Sequence, residues 1–293
     1  MLNEAEFKKY LIEVLGSSKA TSSAYLADVK EFDEYLDKKK ILIENLSGDN
    51  IKDFLNNLKN SGRSNSTMNR KMVSIRKYIE FLRNTAVLST DPSRKIKVPK
   101  VEPKQLEYLS LEEIEKLLSQ PGDDAKGLRD RAILELLYAC GLKVTELTSL
   151  NVQDVDLRIG FVSCRADKSK TRIIPMGHPA RQALLTYMKD ARNELLAEKK
   201  DSGALFVNYN GERITRQGVW KILKLYGKKA GISEDLSPQL IRNSFAAHMI
   251  MNGADLKSLQ ELLGNEDLST TRLFLSLSKA RVMDVYDKTH PRA

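Results

Sequence analysis

Residues 236–274 read LSPQLIRNSFAAHMIMNGADLKSLQELLGNEDLSTTRLF. Ser237 followed by Pro238 is an N-cap and first-turn pair, because proline's fixed φ suits that turn and its missing N–H would have no partner there. The helix so started runs to Gly253, a stop signal. A second helix spans Ala254 to Leu263, and GNEDLSTTR is a capped start of another. On the first of these helices Gln239, Arg242 and Asn243 fall at i, i+3 and i+4, hence on one face.

Working outward, Ser-x-x-Glu at Ser110 and Glu113 is a capping box ahead of Ile114, Leu117 and Leu118, so a domain begins there. Leu128, Ala132, Ile133, Leu136 and Leu137 predict a buried helix ending near Gly141. Between Asp156 and Pro175 the period changes. Phe161, Val162 and Cys164, the polar turn ADKSK, then Arg172, Ile173 and Ile174 make a short β-hairpin. Helices resume from Pro179 and from Thr215 through Trp220 to Tyr226, and 278–286 reads as a last helix.

The first 85 residues read as helices. Tyr25, Val29, Phe32 and Leu36 form one apolar stripe, Ile51, Phe54, Leu55 and Leu58 a second, and Met68, Met72, Ile75, Ile79 and Leu82 a third. Ser64, Ser66 and Thr67 are available as caps for the third helix. Its opposite face carries Arg70, Lys71, Arg76 and Lys77, read as solvated cations. From Asn84 to Leu106 the pattern breaks, and TDPSRKIKVPKVEPK, with three prolines and five Lys/Arg, is expected as an extended basic linker.

The 293 residues carry a formal charge of +9, and up to Gln105 there are twenty Lys/Arg against fourteen Asp/Glu, so six of the nine net charges lie in roughly the first third. An excess so placed suits a polyanion such as DNA. Apolar residues at 41% and charged residues at 30% fit a globular protein and argue against disorder. With no long apolar run and a polar start, MLNEAEFKKY, the chain is expected in the cytosol, away from membranes. Cys140 and Cys164 fit reduced core thiols, and the three histidines lack metal-ligand spacing, so neither metal nor cofactor is expected.

Four ordered stretches carry a resemblance. They are YACGLKVTELTSLNVQDVDL, LFVNYNGERITRQGVWKILKLYGKKAGI, the 236–274 segment and the terminal THPRA. Together they resemble the XerC/XerD branch of the tyrosine recombinase and phage integrase family. The resemblance implies a mainly α fold with a small antiparallel β element, built as a two-domain C-shaped DNA clamp. Its parts would be a helical, SAM-like core-DNA-binding domain at 1–85, a basic linker at 86–106 and a catalytic-type domain at 107–293. In that family a tyrosine attacks the scissile phosphate to give a 3′-phosphotyrosyl bond. Two arginines, a lysine and two histidine-type positions stabilise charge and move protons.

Carried over residue by residue, the active-site positions are altered. Lys143 in CGLKVTEL stands where the family has its first arginine, and Asp167 in ADKSK where it has the catalytic lysine. Lys168 is one residue away, but a one-residue slip in a β-turn sends a side chain to the other face. Gln239 takes a histidine-type position, Arg242 is retained, Asn243 is a position often histidine, and Asn265 replaces the histidine of the L-G-H block. Phe274 occupies the nucleophile's place, keeping the ring and losing the attacking oxygen.

Amides can hold a phosphate but cannot shuttle a proton near neutrality. Lysine for arginine loses the bidentate fork, and Asp167 would repel a dianionic transition state. Ser276 and Ser278 are too short to substitute for the tyrosine, and Tyr286 lies twelve residues on. His178 and His290 read as bland, and His248 as a hydrogen-bonded core residue. The expectation is a DNA-binding protein that has lost cleavage, an architectural factor or silent partner in recombination. Its candidate contacts to double-stranded DNA are Arg70, Lys71, Arg76, Lys77, Lys143, Lys168, Lys170, Arg172, Arg216, Arg242 and Asn243. Its expected protein partner is an active Xer-type recombinase, or a second copy, through helix 278–286. One rival is an active recombinase with a displaced nucleophile such as Tyr286; another is a scaffold that has abandoned DNA.

Phe274→Tyr alone is expected to form no covalent adduct on a nicked suicide duplex, because Asp167, Gln239 and Asn265 remain. Robust cleavage by that single variant in an SDS gel would contradict this reading.

Overall fold

The computed structural model describes residues 3–99, 106–166, 170–197, 199–232 and 236–264. Contacts divide the chain into two compact units, with the boundary between Lys104 and Gln105. The first unit holds helices α1 (Glu4–Lys9), α2 (Lys19–Lys38), α3 (Gly48–Asn60) and α4 (Asn65–Asn84). The second holds α5 (Leu111–Leu118), α6 (Ala125–Cys140), α7 (Val144–Ser149), β1 (Val155–Asp156), β2 (Phe161–Ala166), β3 (Lys170–Pro175), α8 (His178–Thr186), α9 (Arg192–Leu196), α10 (Arg216–Lys229), α11 (Pro238–Met251) and α12 (Leu256–Leu263). The chain is therefore mainly α with one small antiparallel sheet, ordered β1-β2-β3.

In the first unit each long helix starts on a serine whose hydroxyl accepts a backbone N–H: Ser18 from Thr21, Ser47 from Asn50 and Ser64 from Thr67. Such caps satisfy donors that the first turn leaves orphaned. The three apolar stripes meet in one core, where Phe32 packs edge-on against Phe54 and Phe7 against Tyr78. A polar knot lies between α2 and α4. Asp28, 2% exposed, accepts from Arg70 Nη1, from Lys71 Nζ at 2.9 Å and from Ser74 Oγ at 2.8 Å, and Lys71 also reaches Glu31 at 2.8 Å.

Lys71 thus departs from its expected place on the solvated face. It is buried, together with Ser74 and Tyr78, along the side of α4 that meets α2. The physical reason is Asp28, one turn from Tyr25 and next to Val29, which carries a buried charge into the interface and draws the ammonium in after it. The segment expected as an extended linker also differs. Leu88 and Ile96 are buried in the first unit's core, and Arg76 Nη2 and Asn69 Nδ2 donate to the carbonyls of Ile96 and Pro99, each at 2.8 Å. Residues 94–99 therefore lie along α4, leaving Arg94, Lys95 and Lys97 exposed.

In the second unit the capping box is present, with Ser110 N donating to Glu113 Oε2 at 2.7 Å and Glu113 N to Ser110 Oγ at 3.2 Å. The hairpin pairs Cys164 with Arg172 and Ser163 with Ile173. Cys140 and Cys164 are free buried thiols, and burial pushes each up to about 12. Gly141 ends α6 at φ +55°, where a Cβ would lie 2.4 Å from the Phe245 ring, so both conformation and space require glycine. That close approach lets α11 pack on α6. His248 on α11 is buried, with Nδ1 3.0 Å from the Tyr138 hydroxyl.

Asp28→Ala leaves the buried Lys71 ammonium with Glu31 alone, and is expected to lower stability by about 3–5 kcal/mol. A loss below about 1 kcal/mol in chemical denaturation would mean that the knot contributes little more than a surface pair.

Candidate functional site

The elements meeting around Arg242 are the end of α6, the start of α7, strand β3, the first turns of α11 and the end of α12. Arg242 lies on the inner side of α11, buried, with Nη1 donating to the Gly141 carbonyl and Nη2 to the Leu263 carbonyl at 2.6 Å. Both carbonyls terminate helices, where the partial negative end favours a cation. Arg172, on β3, does the same for the neighbouring residue: Nε donates to the Leu262 carbonyl at 2.9 Å. The turn that follows α12 is Gly264, at φ +60°, where a Cβ would sit 2.8 Å from Arg172 Nη1. Any larger residue would displace that guanidinium.

Between the two arginines lies Glu146 of α7. Its carboxylate takes Arg172 in bidentate fashion, Oε1 from Nη1 at 2.6 Å and Oε2 from Nη2 at 2.8 Å, and Oε2 also accepts the Lys143 backbone N–H at 2.8 Å. Burial pushes this carboxyl up. The Arg172 hydrogen bonds, the Lys143 N–H and the charges of Arg172 and Arg242 outweigh it, so Glu146 titrates below the ordinary glutamate range. Burial also lowers Arg242, to about 10, and the charge of Arg172 adds to that against the pull of Glu146.

The expected phosphate contacts therefore separate. Arg172, expected as a DNA contact, is engaged by Glu146 and Leu262; strand pairing with Cys164 turns it toward the core side, where an acid waits. Lys143 is exposed at the N-cap of α7, and its ammonium makes no ion pair among the described residues. Gln239 is exposed on the first turn of α11 and donates to Asn243 Oδ1 at 2.8 Å, while Asn243 Nδ2 donates to the Glu107 carbonyl at 3.1 Å. Arg216 is exposed at the first position of α10, and Lys170 opens β3. Arg70 and Arg76 are exposed on α4, and Lys77 is half-buried beside Glu80. Asp167, Lys168, Asn265, Phe274, Tyr286 and helix 278–286 lie outside the described residues.

Chemically, the described cluster offers an exposed ammonium and amide donors, groups that suit a phosphate oxygen, while the buried Arg242 guanidinium is held by two helix-end carbonyls and adds positive charge behind them. Arg242 and Glu146 keep their charges at neutrality, Gln239 and Asn243 are neutral amides, and none of the four is poised to exchange a proton there. Sequence reasoning missed Glu146, although the glutamate of the T-E-L block was its signal. It also missed the strap at 107–109, which lies on α11 through Leu109 N to Ser244 Oγ at 2.8 Å and through Asn243. A cavity of about 270 Å³ beside α7 has Glu146, Asp154 and Arg165 in its lining. Among the described residues no three His, Cys, Asp or Glu side chains gather as metal ligands.

A folded-state pKa below the unfolded one means that the Glu146 contribution is complete above the ordinary glutamate value, about 4.3, and fades as pH falls through the depressed value. Melts of the wild type and Glu146→Gln should therefore differ most at neutral pH, the gap narrowing as pH falls below about 4. A gap unchanged across that range would remove the ion pair as its cause.

Comparison with known proteins agrees with this architecture. Residues 5–85 match the phage integrase N-terminal SAM-like domain, and residues 107–281 match the phage integrase family. A tyrosine recombinase XerD of Oceanobacillus iheyensis is 41% identical over 290 residues, covering 98% of both chains. Another of Listeria innocua is 39% identical over 291 residues, again 98% of both. The structure of XerH site-specific recombinase bound to palindromic difH substrate matches with a TM-score of 0.75 over 97% of this chain and 84% of that one, at 19% identity, a likeness of fold. With both domain types matched in order and about two-fifths of its residues shared with XerD proteins over nearly the whole chain, this protein belongs to the phage integrase family, among its Xer-type tyrosine recombinases.

Proposed function

We propose that this chain binds duplex DNA as a Xer-type component of site-specific recombination and holds the phosphate at its former active site without cutting it. One observation carries the second half of the reading: Phe274 stands at the nucleophile position, and a benzyl group has no oxygen with which to attack phosphorus. The loss is not isolated. The cluster around Arg242 has amides at Gln239 and Asn243 where proton-moving histidines are expected, and Lys143 offers a point charge where the fork of an arginine would clasp two oxygens. Removing one electrostatic stabiliser costs a factor of about 10²–10³, and here several are altered together with the nucleophile.

The first half rests on charge and kinship. Exposed cations on α4, on the segment beside it and at the start of α10 suit a polyanion, and the similar XerH structure is bound to its difH substrate. In this role the chain would act in the cytosol, beside an active recombinase or a second copy of itself. A second reading has direct support from the comparisons, which back it better than they back catalytic loss. The relatives at 39–41% identity over 98% of the chain bear the name tyrosine recombinase, which favours an active enzyme with a displaced nucleophile such as Tyr286.

Two measurements separate these readings. Electrophoretic shifts of duplex DNA should weaken steeply with salt, each neutralised phosphate adding about −0.9 to the slope of log K against log salt. A nicked suicide duplex should leave no SDS-resistant protein–DNA adduct. An adduct through any residue would establish the active enzyme, and the absence of a shift at low salt would remove DNA binding itself.

A further inference from the structure

Turning by 100° per residue, α4 brings Ser66, Asn69, Arg70, Val73, Arg76 and Lys77 onto one face. Four polar members of this face, Asn69, Arg70, Arg76 and Lys77, are held at their edges, and Ser66 is exposed. Arg70 is anchored by Asp28, Arg76 by the Ile96 carbonyl at 2.8 Å, and Lys77 by Glu80 at 2.9 Å. Asn69 spends its amide hydrogens on the carbonyls of Asn65 at 3.1 Å and Pro99 at 2.8 Å, which leaves it no donor pair with which to read adenine. A guanidinium has five N–H donors, so one bond to protein fixes its place while the others remain for phosphate. The segment pinned along the helix adds exposed Arg94, Lys95 and Lys97.

In the middle of this cationic border stands Val73, an aliphatic side chain 42% exposed. One exposed valine is too small a patch for a protein partner, which needs about 800 Å² on each side. A helix rimmed by arginine and lysine fits the major groove of a duplex, about 12 Å wide, where phosphates flank it on both sides. The one apolar group that the base pairs present on that floor is the C5 methyl of thymine. Valine suits it, with two methyl groups on a χ1 that is already stiff.

We propose that Val73 is a specificity-determining residue that packs on a thymine methyl in the major groove. This inference rests on the DNA-binding reading above and adds to it the base that is read and the atom that is touched. The cations on either side set the register of the helix without reading sequence.

The test uses the full chain and short duplexes with a randomised centre, enriched through rounds of binding at moderate salt. In the recovered duplex each thymidine is replaced in turn by deoxyuridine, which removes only the methyl. For the wild type, one replacement should weaken binding about four-fold, which is about 0.8 kcal/mol at 1.4 kcal/mol per decade. Val73→Ala should weaken binding of the unmodified duplex by a similar factor and abolish the penalty at that thymine, so that the two changes together do no more than either alone. Lys97→Ala should weaken binding and keep the penalty, as a phosphate contact does. If Val73→Ala retains every deoxyuridine penalty of the wild type, or the wild type shows none, the proposal is overturned. If no duplex is enriched and none shifts at low salt, DNA binding itself fails, a separate outcome that removes the proposal with it.

Discussion

The carboxylate of Glu146 accepts from both terminal nitrogens of Arg172 and lies in the field of the buried Arg242, so that one anion partly offsets two neighbouring cations. The rest of the second unit's site depends on it. Through Arg172 it ties α7 to β3, and through the paired carbonyls of Leu262 and Leu263 both guanidiniums hold the end of α12. Its third acceptance, from the Lys143 N–H, starts α7 and leaves the Lys143 side chain pointing away from the pair, exposed. Each ion pair that bridges two elements fixes their separation more tightly than apolar packing would, because hydrogen bonds have directions.

The first unit solves the same problem with the same ratio of one acid to two cations. There the acid Asp28 is deepest, and Arg70, Lys71 and Ser74 converge on it. In both units the basic residues fall into two groups with different physics. Lys71, Arg172 and Arg242 are desolvated, which requires a carboxylate or a helix-terminal carbonyl within hydrogen-bond reach. Arg76, Arg94, Lys95, Lys97, Lys143 and Arg216 stay in water, where they retain charge for a polyanion at little cost to the fold. Net charge alone does not distinguish the groups, and only the second contributes to attraction at a distance.

Kinship and chemistry speak to different links of the argument. Forty-one per cent identity to a XerD protein fixes the scaffold, since a core of that similarity repacks in the same way. It does not fix the reaction, which hangs on a handful of atoms. A phenylalanine can fill the volume of a tyrosine and preserve every packing contact while the one reactive atom is gone.

Helix positions, caps, the hairpin and the family were legible in the sequence because each is written in local chemistry. Serine and proline start helices, glycine ends them, and apolar period distinguishes helix from strand. The proposed loss of the nucleophile at Phe274 likewise rests on residue type, which needs no coordinates. Which cations are free was not legible. Lys71 and Arg70 are adjacent in sequence and alike in charge, yet one is sealed against Asp28 and the other half in water, and that division is made by a helix forty residues away. The fate of Arg172 was decided in the same way, by the hairpin that brings it against an acid on α7. Burial and pairing arise from contacts between distant segments, so the tertiary structure alone decided which charges face solvent and which hold the protein together.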